Sequence, residues 1–289
     1  MNSSRGYTLI VLGVFGFAAS GCLTEAGGDE AAPMDFGADN ALENPTALLP
    51  NALTPNALTP NALTPNALTP NALTPNALTP NSLSPNAMAA IQAPEDDGAV
   101  SRKVLEYTVG CALDPTQSFS FAWIDAQGNA QSETYWGALG LATSWADKPL
   151  NKKDEEWVSA CLASRINRYG VPVMISVRGK HPGLHKPDPS ELTTYAMEEG
   201  AFWGNLFSST PRLFACYYGP NADYARSQLR DCAAGHVEPN GGISECGIVE
   251  IVGACEDVCQ SLHNSGKYRP KCQAPGATSS NNVITTFLM

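Results

Sequence analysis

NKKDEEWVSACLASRINRYGVPVMISV, residues 151–177, carries the reading that decides the fold. Asn151 is a helix N-cap residue, and Asp154, Glu155 and Glu156 place negative charge in the first turn, where the helix dipole favours it. Trp157, Cys161, Leu162 and Ile166 recur at helical spacing as one apolar stripe. Gly170 tolerates the left-handed conformation that ends a helix, so the pattern predicts a helix over 151–169. Residues 171–177 then read as a buried strand. Upstream, 101–112 has Leu105, Val109 and Ala112 at helical spacing. Residues 119–125 and 131–136 flank Ala126-Gln127-Gly128-Asn129 and read as a β-hairpin. The turn explains Asp125 and Asn129 better than a calcium loop does, because too few carboxylates converge there. Downstream, strands are expected at 213–218, 248–252 and 283–288, and short helices at 225–233 and 255–264. Helices and strands do not alternate, which points to an α+β domain over 100–289 rather than a doubly wound sheet.

Eight cysteines fall in that region: Cys111, Cys161, Cys216, Cys232, Cys246, Cys255, Cys259 and Cys272. In an exported chain an even count is a disulfide framework. Cys111, near one helix end, and Cys161, inside the next helix, are natural partners. Pairing the rest in sequence order gives Cys216–Cys232, Cys246–Cys255 and Cys259–Cys272.

Residues 22–99 read as a tether. Asn-Ala-Leu-Thr-Pro is repeated six times without change over 51–80, within a looser repeat region of about 46–88. A proline every fifth residue removes a backbone donor each time, so neither a helix nor a central strand can run through. Extended polyproline-like backbone with local turns remains. Residues 23–99 hold nine acids and no Lys or Arg, so about −9 of the chain's −11 belongs to the tether. That balance, with no basic patch, argues against a nucleic-acid partner.

Before the tether, Arg5 and an apolar run over 8–19 lead to Ala19-Ser20-Gly21-Cys22. This resembles the lipobox of bacterial lipoproteins. The resemblance implies a signal peptide over 1–21, acylation of Cys22, and a lipid bilayer as the partner of that residue. Leu23 stands where an inner-membrane retention Asp would sit. The resemblance therefore implies a lipid-anchored protein of the cell envelope, at the outer membrane.

Chemistry-bearing residues are sparse. No G-x-S-x-G, P-loop, G-x-G-x-x-G or HExxH pattern is present, and no cofactor is expected. His181 and His185 follow the strand at 171–177, with Glu198 and Glu199 further on. With His236, they are the candidates for an acid–base or metal site. Cys255, Cys259 and His263 would share one helix face, and Cys246 or Cys272 would complete a zinc site, although paired disulfides suit an oxidising compartment better. Trp203, Phe207, Phe214, Tyr217 and Tyr218 form an aromatic cluster that reads as core or as a groove. The expected function is binding of a ligand or partner outside the membrane. The alternatives are an envelope hydrolase with a His/Glu site and a purely structural envelope component.

Overall fold

The computed structural model describes residues 54–55, 85–94, 96–184, 187–263 and 267–289. Cys22, the lipobox, most of the tether and His185 lie outside these residues. Among the described residues no helix is long and apolar enough to cross a membrane.

In chain order the elements are β1 (Thr54–Pro55), α1 (Pro85–Gln92), α2 (Asp96–Ala112), β2 (Ser118–Ile124), β3 (Ala130–Trp136) and α3 (Lys152–Ser164). Then come β4 (Met174–Gly179), α4 (Pro189–Thr194), β5 (Met197–Asn205), β6 (Arg212–Tyr217) and α5 (Ala222–Ser227). The last are β7 (His236–Val237), β8 (Ile243–Ser244), β9 (Val249–Ala254), α6 (Cys255–Val258) and β10 (Ile284–Leu288). The content is α+β. A six-stranded sheet runs β1-β4-β10-β5-β6-β9. Its pairs are antiparallel except β6–β9, which is parallel.

Three layers result. Helix α3 packs on one face of the sheet with α2 against it, and Leu105, Trp157, Leu162, Ile175, Phe202, Leu213 and Ile284 share a core. The alternate residues Ala201, Trp203, Phe214 and Cys216 point the other way, into a second cluster with Cys255, Cys272 and Val283. The segment after β9 therefore forms the third layer. It is held on by cysteines more than by helices.

α3 starts where its cap requires: Asn151 Oδ1 accepts from the N–H groups of Lys153 (3.0 Å) and Asp154 (3.1 Å). It ends at Ser164, short of 169, because the carbonyls of Ser164 and Ile166 turn to the Arg230 guanidinium at 2.9 and 2.7 Å. Helical structure also begins earlier than residue 100. Ile91 is fully buried, and Arg102 Nη1 donates to the carbonyls of Ile91 and Ala93, which ties α1 to α2. The repeat residues Thr54 and Pro55 pair with Ile175 and Met174 at the outer side of β4. An edge is the place in a sheet where proline's missing N–H is tolerated.

The β2–β3 hairpin forms with its turn at Asp125, whose Oδ1 accepts from the N–H groups of Gln127 (3.0 Å) and Asn129 (2.8 Å). Those bonds hold the Asp125 carboxyl below its ordinary value, the Asn129 N–H first and the Gln131 amide next. A carboxyl lowered in the fold contributes stability above its unfolded value and loses it as pH falls through the folded one. A carboxyl-detected NMR titration should place the Asp125 midpoint below the usual 3.8. A midpoint at or above that value would contradict the turn.

Among the described residues four disulfides are present. Cys111–Cys161 joins α2 to α3 across 50 residues of sequence, a closure that contributes about 4 kcal/mol on chain-entropy grounds. Cys259–Cys272 closes the third layer. The expected pairs Cys216–Cys232 and Cys246–Cys255 do not form. Cys216 is bonded to Cys255, and Cys232 to Cys246. The cause is the parallel β6–β9 pairing, whose register sets Tyr217 opposite Ala254 and so delivers Cys255 to Cys216. The crossover between those strands then carries its own staple.

Candidate functional site

β5 was not expected as a strand, and it positions the site. Its register with β10 shifts between Thr286 and Phe287, so that two adjacent glutamates find separate partners. Glu199 Oε2 accepts from Arg230 Nη2 (2.9 Å) and Nε (3.3 Å), with both side chains fully buried. Glu198 takes Arg269 through both oxygens, at 2.5 and 3.2 Å. Arg269 Nη2 also reaches Glu256 Oε1 at 2.8 Å. Burial pushes the Glu198 carboxyl up, against the pull of the Arg269 guanidinium.

This second ion pair lies in the wall of a cavity of about 790 Å³. β4 contributes Arg178, α4 Leu192, β5 Glu198, α6 Glu256 and β10 Phe287. Ala196, Tyr218, Asn221, Cys259, Ser261, Leu262 and Arg269 complete the lining. α4 is set there by its cap: Asp188 Oδ1 accepts the Glu191 N–H at 2.8 Å.

Arg178 is 2% exposed, and its guanidinium lies 3.9 Å over the Phe287 ring. Its Nε donates to Ser176 Oγ (2.8 Å) and its Nη2 to the carbonyls of Tyr195 (2.6 Å) and Glu191 (3.5 Å). None of these three bonds uses Nη1. The neighbouring carboxylate, Glu191, is reached through Ser176, whose hydroxyl donates to it at 2.6 Å. Among the described residues Arg178 has no direct ion-pair partner. Burial pulls its guanidinium down to about 10, so it stays charged at neutral pH. A buried cation whose neighbouring carboxylate is reached only through a hydroxyl is costly, and a ligand carboxylate at Nη1 would relieve that cost.

The expected histidine site does not assemble. Of its described members only Glu198 lines the cavity, and Glu199 is turned to Arg230 and α3. His181 packs edge-on against Trp157 at 5.2 Å, and its Nδ1 accepts the Gly183 N–H. His236 Nδ1 lies 2.8 Å from Asp231 Oδ2, which also accepts the Tyr169 hydroxyl at 2.9 Å. Among the described residues no histidine lines this cavity or the smaller ones of about 320 and 240 Å³.

The expected zinc set fails for a local reason. The helix expected at 255–264 stops at Val258, because Cys259 is extended and bonded to Cys272. His263 therefore leaves the shared face and stacks on Tyr268 at 5.2 Å, while Cys246 is held by Cys232. The aromatic cluster divides: Trp203 and Phe214 pack together in the second core at 5.7 Å, Phe207 lies in the first, and Tyr218 faces the cavity.

Arg178 and Arg269 were missed as site residues. The one signal in the sequence was a pair of acids inside an otherwise apolar stretch, in need of buried cations: Met197-Glu-Glu-Gly-Ala-Phe-Trp203. No protein-family model matches the chain, and no curated protein or solved structure matches it either.

Proposed function

We propose that this chain is a lipid-anchored envelope protein whose C-terminal domain binds a small carboxylate with an apolar body. The observation that carries the reading is Arg178, a buried guanidinium in the wall of the large cavity with Nη1 unengaged. The cavity volume lies within the range of small-molecule sites. Leu192, Leu262 and Phe287 offer apolar surface beside the cation. Arg269 is already satisfied by two glutamates, so Arg178 is the group that selects the charge. The lipobox resemblance places the domain at a membrane surface, and the tether holds it away from that surface. The hydrolase reading finds less support, because among the described residues the cavity lining pairs Glu198 with Arg269 rather than with a histidine.

A matched pair of probes tests this. Phenylacetate and its neutral isostere phenylacetamide are titrated calorimetrically into the full chain and into Arg178→Gln. A charge-assisted hydrogen bond is worth about 1.5–3 kcal/mol, so phenylacetate should bind at least about ten-fold tighter than the amide and lose that advantage in the variant. Equal binding of the two probes, or an Arg178→Gln variant with unchanged preference, would overturn the assignment. Intact mass of the membrane-extracted chain tests the anchor separately. The expected result is a chain beginning at Cys22 and carrying acyl mass.

A further inference from the structure

The sulfurs of Cys216 and Cys259, which belong to two different disulfides, lie 3.5 Å apart. Cys272 Sγ is within 4.8 Å of both. The two bridges differ in access. Cys216 and Cys255 are fully buried, whereas Cys259 is partly exposed and lines both the 790 Å³ and the 320 Å³ cavities. A sulfur at the surface therefore touches a sulfur at the centre of the fold.

We infer that Cys259–Cys272 and Cys216–Cys255 form a thiol–disulfide exchange site for an external dithiol. A thiolate of the dithiol attacks Cys259 Sγ. A mixed disulfide forms, and Cys272 leaves as a thiolate that takes a proton. The second thiol of the reagent then closes the reagent's own disulfide and releases the Cys259 thiolate. Two electrons have passed from the dithiol to this bridge. The Cys259 thiolate next attacks Cys216 Sγ, the Cys216–Cys259 bond forms, and Cys255 departs as a thiolate and is protonated. This second step moves no further electrons. Its product holds buried thiols at Cys255 and Cys272. Because Cys255 opens α6, exchange releases the start of the helix that carries Glu256 to Arg269. The inference stands whether or not the cavity takes a carboxylate.

The test uses Cys272→Ser, which leaves Cys259 without its partner from the outset. Two separate samples of the variant are labelled with N-ethylmaleimide, one held throughout at about pH 4, where protonated thiols do not exchange, and one after incubation near pH 8, close to the ordinary thiol value. Peptide mapping should show label on Cys259 alone in acid. After the alkaline incubation, Cys255 should be labelled and Cys216 linked to Cys259 in at least about one chain in ten. Label confined to Cys259 at both pH values, with Cys216–Cys255 intact, would overturn the inference. A second arm treats the unaltered chain with less than one equivalent of dithiothreitol, so the conclusion does not depend on the variant folding. Label on Cys255 and Cys272 supports exchange. Label on Cys259 and Cys272 refutes it, as does a chain with no label at these four positions.

Discussion

Deleting residues 284–289 should leave no cooperatively folded domain. β10 lies between β4 and β5, and its residues pair on both sides, Ile284 with Gly179 and with Phe202. All five residues of the strand are buried. Removing Ile284, Phe287 and Leu288 alone forfeits about 5–9 kcal/mol of apolar burial at roughly 1.5–3 kcal/mol each. The backbone groups of β4 and β5 that faced the strand are left unpaired as well. Arg269 loses the Thr285 Oγ1 acceptor of its N–H, 2.8 Å away, and Arg178 loses the ring beneath it. A domain is stable by about 5–15 kcal/mol in total, so the loss is comparable with everything available. Near-UV circular dichroism and thermal melting of the truncated chain should show no cooperative transition. Thr286→Pro, which keeps the length and removes one ladder donor in a central strand, should lower the melting temperature sharply. A truncated chain that melts within about 5 °C of the full one, a shift worth roughly 2 kcal/mol in a domain this size, would refute the central placement of β10.

Arg230→Met should destabilise the domain by about 3–5 kcal/mol, the usual cost of removing one partner from a buried ion pair. The substitution strands the Glu199 carboxylate inside the protein. It also takes the donors from the Ser164 and Ile166 carbonyls at the end of α3. Glu199→Gln should cost less, because Arg230 keeps both carbonyls and an amide oxygen. The pair Arg230→Met with Glu199→Leu should recover part of the loss, since no charge is then stranded. Urea unfolding gives all three values, with the denaturant slope unchanged if only stability is altered. A cost below about 1 kcal/mol for Arg230→Met would mean that the pair is solvated.

Local chemistry made parts of this fold legible and left others hidden. The Asn151 cap and the Asp125 turn are written in neighbouring residues, and both elements form where those residues require. β5 was hidden because Glu198 and Glu199 break its apolar run and read as partners for the loop histidines. Their partners Arg269 and Arg230 lie 71 and 31 residues away, and nothing near the glutamates announces them. Pairing cysteines in sequence order matched Cys259 with Cys272, which close a short loop. It failed for Cys216, whose partner is chosen by a parallel strand pairing across a crossover. The same disulfide at Cys259 stopped the helix that would have aligned His263. The cavity needed β4, β5, α6 and β10 together, so its lining was not readable from any one segment. Cys22 and the lipobox lie outside the described residues, and the anchor is a proposal resting on the sequence.

The central claim is that Arg178 meets an anion in the large cavity. NMR spectra of the arginine Nε–H groups and backbone amides, recorded while phenylacetate is added to the full chain, test it directly. The account predicts saturable shifts at the Arg178 Nε–H and at the Tyr218, Leu262 and Phe287 amides. Phenylacetamide should give little response. Shifts centred instead on the cavity lined by Lys152 and Arg212, or no saturable shift at Arg178, would contradict it.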